Sequence, residues 1–552
     1  MTNFKAPSQE SNKTIGFLVI GVSIVTLILT PVINGDSLII PKMVVLFSMG
    51  MFILPQVIYR LKTNFQNRLT LAITLTSLLF IFQMIVVMIT SSAPWEQEFY
   101  GRSGRSLGFA TYFALTLLLL CAINSTNSNS TYTLNLGLAI TCTITSLYSI
   151  AQFYGFDVFE WETKTNGIIG TLGNPNFQSS FAAMALLPTL VTYWESNKRY
   201  ISIILFSILM FTIYISESTQ GYIAGAASLI LFVLIYFWYK NRRLFLVVLL
   251  LGFSTSVIAI SGMLNKGPLS QYLYKISVQS RGEMWRTALA TANSNPLFGV
   301  GLDSFGDWSL FYRDEKAANG VAEYADNAHN FFLQFALTGG YILALISLLF
   351  IIITLYSFYK IQKQRNKFDK GLSAIFSSWV CFQLQALISP ANISMLAWNF
   401  LISGVMIGYA AKLSRPEKIL HTNSYKNSIF LRPFGYLSLM IGLILVYPYF
   451  NADRIAFGTT KTGDALVAVK SAKMFPESSV RYQRIGLAMY NSNLPELSLD
   501  VARSATSFNP NNLAGWFLIL VNEKAPIEDR RKAKNEVLRL DPYNKEALQY
   551  NL

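Results

Sequence analysis

One histidine lies where a polar segment of the chain meets a long apolar one. His329 belongs to ADNAHNF (residues 325–331), directly before an apolar run. An imidazole has a pKa near neutrality, so at such a place it can accept a proton from an attacking hydroxyl group. A lone histidine beside the start of a helix also often has only a structural role. Glu217 and Asp326 are the alternative bases.

The segment SRGE (residues 280–283) has the pattern of a helix capping box, with Ser280 as N-cap and Glu283 at the third helical position. Arg281 would then stand in the first turn, beside backbone amides without helical partners and the positive end of the helix dipole. Phosphate groups bind at such places. The alternative is an arginine that pairs with a carboxylate or extends toward the membrane surface.

Two further arginines, Arg102 and Arg105, lie in GRSGRSLG (residues 101–108). Glycines allow backbone amides to approach a bound anion, and guanidinium groups donate paired hydrogen bonds to phosphate. Interfacial arginines that contact lipid headgroups would give the same pattern. The segment therefore predicts either a phosphate-binding loop or a membrane-surface contact.

Side-chain amides concentrate in GTLGNPNF (residues 170–177), just before another apolar run. Asn-Pro indicates a turn, and Asn176 fits the position of a helix cap. Asn174 and Asn176 could also bind sugar hydroxyls near the membrane surface.

The elements that must position these residues are apolar helices. Hydrophobic residues make up 52% of the 552 residues and charged residues 13%, against roughly 25% in soluble domains. The apolar residues form blocks close to the length that spans a bilayer. Thirteen spans are predicted, at residues 15–33, 38–59, 69–91, 107–123, 132–153, 177–194, 200–215, 220–239, 244–262, 332–359, 372–390, 393–411 and 430–450.

The distribution of Lys and Arg predicts the orientation. The net charge is +15, but the basic residues are spread over short loops and form no basic face for nucleic acid. One alternating set of connections holds seventeen of them and the other set only Arg102, Arg105 and Lys164. The positive-inside rule makes the first set cytoplasmic, so we expect a cytoplasmic N-terminus. All the candidate segments above, and the C-terminal domain, would then be extracytoplasmic.

Two segments lie outside the apolar blocks. The connection of residues 263–331 is far longer than an ordinary loop and is rich in aromatic residues, which predicts short helices packed over the outer surface. In the last hundred residues FPE, NPN and DPY recur at positions 475, 509 and 541, a spacing typical of tetratricopeptide helix pairs. Helical hairpins that merely cap the membrane domain are the alternative.

Metal and disulfide chemistry have no support in the sequence. The three cysteines fall inside apolar blocks, and the two histidines, His329 and His421, lie far apart. Neither a zinc site nor a disulfide framework can be built from them.

Together, these segments resemble the O-antigen ligase and O-antigen polymerase-like family of polyprenyl-diphosphate glycan transferases. The resemblance lies in GRSGRSLG, GNPNFQSSFAAMALLP, SRGEMWRTALATANSNPLFGVGLDSF and AHNFFLQFALTGG, which occur in the family's order. It implies an all-α, multi-span glycosyltransferase whose transmembrane domain covers residues 1–411, including the outer loop. Residues 412–450 would form a cytoplasmic linker and the last transmembrane helix, and residues 451–552 a tetratricopeptide-like α-solenoid.

The resemblance also implies the reaction and the site. A glycan would move from a polyprenyl diphosphate, of the undecaprenyl type, to an acceptor hydroxyl, with inversion and without metal or cofactor. His329 takes the place of the family's histidine in the long loop, and Arg281, with Arg105, that of the arginines that hold the diphosphate. Many relatives carry arginine in a Ser/Thr-Arg-Gly turn where this chain has Gln220. Gln220 can donate hydrogen bonds to the phosphate but carries no charge, for which Arg102 could compensate.

Three functions stay open at this point. A ligase would place a finished glycan on a lipid, glycan or protein, and a polymerase would join repeat units on lipid carriers in the plasma membrane. A transporter of lipid-linked glycan would carry ionisable residues inside several spans, which here are almost free of them. The repeat domain could bind a protein partner, which slightly favours a ligase with a large acceptor.

Overall fold

The computed structural model describes residues 9–159, 161, 167–194, 199–274, 276–320, 324–414 and 424–552. Every regular element in these ranges is a helix. The prediction of an all-α chain is therefore confirmed. His421, Lys164 and much of the predicted linker at residues 412–423 lie outside the described residues.

The helices of the membrane region precede and follow the long outer loop. The first ten are α1 Gln9–Leu27, α2 Ile40–Asn64, α3 Arg68–Thr90, α4 Trp95–Tyr100, α5 Phe109–Ser125, α6 Ser130–Phe153, α7 Pro175–Trp194, α8 Arg199–Ile215, α9 Thr219–Lys240 and α10 Arg242–Met263. The outer loop contains α11 Ser270–Leu273, α12 Ile276–Ser294, α13 Phe305–Tyr312 and α14 Glu315–Ala318. The bundle then continues with α15 Phe331–Arg365, α16 Lys370–Ala386, α17 Ile393–Leu413 and α18 Ser424–Thr462.

A helix lies at each of the thirteen positions where a span is predicted. Among the described residues, eight helices are long and apolar enough to cross a membrane, and three more are apolar but shorter. The protein is thus a polytopic membrane protein, while thirteen crossings stay a prediction. Helix α7 is less apolar than these helices, because it has a buried polar run that includes Gln178, Ser179 and Ser180. A helix surrounded by other helices needs fewer lipid-facing apolar residues.

The outer loop is joined to the bundle where α15 is broken. Gly340 has φ +74° and ψ 172°, which interrupts the helix after residue 339. The amides of Val300 and Gly301 donate to the carbonyls of Leu337 and Thr338, at 2.9 and 3.1 Å. The loop backbone therefore satisfies polar groups that the break would leave unpaired inside the membrane region.

The C-terminal region consists of short helices after α18, which continues unbroken past residue 450. They are α19 Ala465–Ala472, α20 Ser479–Asn491, α21 Pro495–Phe508, α22 Leu513–Val521, α23 Ile527–Leu540 and α24 Lys545–Gln549. Successive helices from α20 to α23 pack on one another. The three Pro-containing motifs all fall between helices, as the repeat predicts. Whether these pairs form a tetratricopeptide solenoid stays a prediction.

The C-terminal region and the outer loop lie at the same end of the bundle. Arg313 of the loop forms an ion pair with Asp541 at 2.7 Å. Asn509 donates to Asp307 at 3.0 Å, and Ser479 donates to Gln97 at 3.3 Å. With a cytoplasmic N-terminus, an odd number of crossings, counted from α1 and including α18, would place both segments outside.

Candidate functional site

The turn that carries His329 is held by its own side chains. Asn330 is the N-cap of α15 and accepts from the amides of residues 332 and 333 at 3.0 and 3.1 Å. The His329 amide donates to Asn327 at 2.9 Å, and the Ala328 amide to Gln334 at 2.9 Å. His329 itself has φ +50°, a left-handed conformation that a non-glycine residue rarely adopts. His329 thus has a strained backbone conformation directly before a helix. Residues in such conformations are often found at functional sites.

Arg281 does not occupy the place that the capping box predicts. Helix α12 begins at Ile276, so Ser280 is not its N-cap and Arg281 stands in the second turn. The prediction of Ser280 as a cap is wrong because the helix already begins four residues upstream, at Ile276. Free backbone amides therefore do not surround Arg281, and any anion would be held by its guanidinium.

Arg281 and His329 lie close enough to interact through charge. Burial and the positive charges of Arg105 and Arg281 lower the pKa of His329 to about 4, although Asp326 opposes this shift. The imidazole is therefore neutral at pH 7 and can accept a proton. Arg281 is partly buried, and among the described residues it has no acidic partner. Burial lowers the pKa of Arg281, but a guanidinium normally titrates above about 12 and stays protonated.

The loop with Arg102 and Arg105 is tied to the outer loop by acidic residues. Asp303 accepts from the amides of Arg102 and Leu107 at 2.8 and 3.1 Å, which closes the glycine-rich turn. Burial raises the pKa of Asp303 to about 6, although these amides oppose the shift. On the other side, Asp36 accepts from the Gly104 amide at 2.7 Å. The loop's backbone amides are therefore partly occupied by carboxylates.

Both arginines of this loop have acidic partners. Arg102 pairs with Asp307 at 2.7 Å and donates to the Tyr324 hydroxyl at 2.8 Å. Arg105 makes two hydrogen bonds of 3.0 Å to the carboxylate of Asp326. Burial raises the pKa of Asp326, but the Arg105 guanidinium outweighs this effect and leaves the pKa below its usual value. Arg281 is thus the guanidinium of this group whose charge is least compensated.

The asparagines and Gln220 form a second group. Asn174, rather than Asn176, accepts from the first turn of α7, through the Asn176 amide at 2.8 Å. The Asn176 side chain instead accepts from Ser218 at 2.7 Å, and Gln220 accepts from Ser389 at 2.7 Å. The Gln220 amide nitrogen is buried without a hydrogen-bond partner in the described structure. The assignment of Asn176 as a cap is therefore wrong, since Asn174 has that role.

The loop between α1 and α2 contacts both groups. Asp36 bonds the Gly104 amide, and Leu38 packs against Gly173 of the second group. Within the described residues, no hydrogen bond or ion pair joins Gln220 or the asparagines to His329 or Arg281. We refer to His329, Arg281, Arg105, Asp326 and Arg102 as the charged cluster.

Sequence reasoning missed several residues that shape the charged cluster. Asp303, Asp307 and Asp36 fix its arginine-rich loop, and each is distant from that loop in the sequence. Lys42, within a predicted span, is completely buried and donates to the last carbonyls of α1 at 3.2 and 2.8 Å. A cation at a helix C-terminus is stabilised by the helix dipole. The sequence features that could have indicated these residues were the two aspartates of GLDSFGD (residues 301–307) and the lysine that follows Pro41.

In the described part of the chain, no three His, Cys, Asp or Glu residues cluster as metal ligands do. Glu217, one alternative base, is exposed and lies next to Ser218 of the second group. Asp326, the other, is engaged by Arg105. His329 is thus the group in the cluster best placed to accept a proton.

Comparison with known proteins supports the predicted resemblance. Residues 203–349 match the model of the O-antigen ligase family. This segment includes Gln220, Arg281 and His329, and runs from α8 through the outer loop into α15. No curated protein matches the chain. The match confirms the resemblance to the O-antigen ligase family, whose members suggest a glycosyltransferase type of activity.

Proposed function

We propose that the protein transfers a glycan from a polyprenyl diphosphate to an acceptor hydroxyl at the outer surface of the plasma membrane. The observation that carries the proposal is the partly buried Arg281 guanidinium, with no acidic partner among the described residues, beside a neutral His329. Both lie where the helix bundle meets the outer loop. A lipid diphosphate would have its tail in the bilayer and its headgroup at this level.

The reaction follows from the two side chains. His329 takes the proton from the acceptor hydroxyl as its oxygen bonds to the anomeric carbon, and the bond from that carbon to the diphosphate oxygen breaks. The electron pair leaves with the diphosphate, whose negative charge Arg281 stabilises through forked hydrogen bonds. Attack from the side opposite the diphosphate gives inversion, as the resemblance implies.

Donor binding would raise the pKa of His329. A histidine with a pKa of about 4 is a weak base in the empty site. The negative charge of a bound diphosphate favours the imidazolium form and raises this pKa toward neutrality. The site would thus acquire a competent base when the donor is in place. Arg105, held by Asp326, contributes fixed positive charge and orients the loop.

The direct test uses purified protein in proteoliposomes, with a polyprenyl-diphosphate glycan and candidate acceptors. We expect a transferred glycan whose acceptor identifies a ligase or a polymerase, and no transfer by His329→Ala protein that retains its fold. Near-normal transfer by that variant would remove His329 as the base. Export of intact lipid-linked glycan without a new glycosidic bond would favour a transporter.

The orientation has its own test. The native cysteines Cys121, Cys142 and Cys381 are all buried, so a cysteine introduced at the exposed Leu466 reports the position of the C-terminal region. An impermeant maleimide should label it in intact spheroplasts. Labelling that requires membrane disruption would place the region, and the contacting outer loop, in the cytosol and refute the proposal.

A further inference from the structure

A cleft lies between the outer loop and the C-terminal helices, beside the charged cluster, with which it shares Arg102. Its volume is about 610 Å³, and it is lined by residues of α13, α20, α22 and α24 together with Arg102, Ala318, Tyr324 and Leu540. We call it the loop–repeat cleft. Ligand sites usually have volumes of roughly 300 to 1,000 Å³. The cleft therefore has the volume of a small-molecule site. A protein partner would instead need a contact surface of roughly 800 Å².

The walls of the cleft carry exposed rings and uncommitted polar groups. Tyr324 and Tyr543 line it with 48% and 39% of their surface exposed, and Phe517 adds a third ring. Gln483 and Glu546 are exposed lining residues that can hydrogen-bond a ligand. Rings that present both a flat apolar face and a polar edge, together with amide and carboxylate groups, suit a polyhydroxylated ring.

The charges in the cleft are balanced. Arg102 pairs with Asp307 and Arg313 with Asp541, each at 2.7 Å, and all four residues line the cleft. Their side chains are at most 11% exposed. The other two charged lining residues, Lys545 and Glu546, are exposed and opposite in sign, so the lining carries no net positive charge for a phosphate. Its chemistry favours a neutral ligand.

The cleft adjoins the charged cluster. Arg102 and Tyr324 belong to its wall and hydrogen-bond each other at 2.8 Å. Tyr324 is only two residues from Asp326, which holds Arg105, and two residues span at most roughly 7 Å. A chain of sugars that enters the cleft would therefore lead toward the residues that handle its end.

We propose that the loop–repeat cleft binds a segment of oligosaccharide during glycan transfer. The segment belongs to the donor glycan or to a glycan acceptor, which have the same chemistry. This inference rests on the proposed function. It gives the C-terminal helices a direct part in substrate binding in addition to any partner they recruit.

The test uses the full-length protein in nanodiscs and diphosphate-free oligosaccharides released by mild acid from polyprenyl-linked glycan. Saturation-transfer NMR should detect binding, and Tyr543→Ala combined with Gln483→Ala should weaken it tenfold or more. The matched control is Tyr490→Ala, because Tyr490 is 41% exposed in the same domain and does not line the cleft. If the double variant folds poorly, Gln483→Trp fills the cleft from an exposed position and should have the same effect.

The kinetic arm identifies the source of the sugar. A rise in the KM for the donor upon Gln483→Trp assigns the cleft to the donor glycan, and a rise in the KM for the acceptor assigns it to the acceptor. The inference is overturned if both KM values stay unchanged, if the oligosaccharides do not bind, or if an unfolded peptide displaces them from the cleft.

Arg281→Ala separates this inference from the proposed function. That variant should lose transfer but still bind the diphosphate-free oligosaccharide. Loss of binding in the cleft variants together with full transfer by Arg281→Ala would leave the cleft standing and refute the diphosphate role. Loss of transfer by Arg281→Ala with unchanged sugar binding in the cleft variants would refute the role of the cleft and leave the diphosphate role of Arg281 standing.

Discussion

Replacement of Arg281 by alanine tests the central electrostatic idea. In the proposed reaction the departing diphosphate gains negative charge in the transition state, and Arg281 has no acidic partner among the described residues to compensate its own charge. Removal of one donor of this kind from a protected site costs about 3 to 4 kcal/mol. Transfer by Arg281→Ala should therefore be about 100 to 1,000 times slower. Arg281→Lys should recover part of the rate, since it keeps the charge but loses the forked geometry.

The same helix provides the control. Arg286 also lies on α12, but its side chain is 47% exposed and it already pairs with Asp314 at 2.8 Å. An exposed pair of this kind contributes at most about 1 kcal/mol. Arg286→Ala should therefore leave transfer within a few-fold of the native rate. Both variants are assayed with radiolabelled lipid-linked glycan in proteoliposomes, under single-turnover conditions that isolate the chemical step.

Two results would refute this reasoning. One is a rate for Arg281→Ala within threefold of the native protein, with similar thermal stability. The other is equal loss in Arg281→Ala and Arg286→Ala, which would indicate a general effect on α12. A change in donor affinity alone, with no change in the single-turnover rate, would assign Arg281 to ground-state binding and remove its role in the transition state.

Three further predictions concern the base, the buried ion pair and the loop–helix junction. In the proposed reaction the neutral imidazole of His329 is the base, so kcat/KM should fall as the pH drops through about 4. The kcat should fall at a higher pH, because the bound donor raises the pKa of His329. A pH–rate profile measures both decreases, and His329→Gln should abolish transfer at every pH. Asp307→Ala leaves Arg102 buried and unpaired and should cost about 3 to 5 kcal/mol, seen as a lower Tm, whereas the same change at the exposed Asp529 should cost less than about 1 kcal/mol. Gly299→Ala should lower the Tm strongly, because φ is +65° and the added Cβ would collide with the backbone at residue 338, while Gly282→Ala in open space on α12 should be neutral or stabilise by up to about 1 kcal/mol.

The positions of the helices could be predicted because hydrophobicity in a membrane protein is a local signal. Each predicted span coincides with a helix, including α15, although the break at Gly340 escaped prediction. A glycine pair inside an apolar run is compatible with a continuous helix. The break becomes favourable only through hydrogen bonds from residues 300 and 301, some forty positions away. The start of α12 was misplaced for a related reason, since a capping pattern can also occur inside a helix.

The candidate site was less predictable because its charges are compensated over long distances. The arginines of GRSGRSLG are visible in the sequence, but their partners Asp307 and Asp326 lie about 200 residues further along the chain. Without those partners, Arg102, Arg105 and Arg281 look equally suited to phosphate. Folding distinguishes them, because only Arg281 lacks a carboxylate partner among the residues that the structure describes.

The outer loop is bonded to α15 on both sides of its break, since the Tyr341 amide also donates to the Pro296 carbonyl at 2.8 Å. The helical segment of residues 331–339 follows His329 and is bonded to the outer loop, and α12, which carries Arg281, packs on the same helix. The same short helical segment packs on the bundle through Phe335, whose ring contacts those of Phe80 and Tyr112. His329 and Arg281 are therefore attached to one fixed framework, and we expect their separation to stay the same whichever lipid headgroup enters.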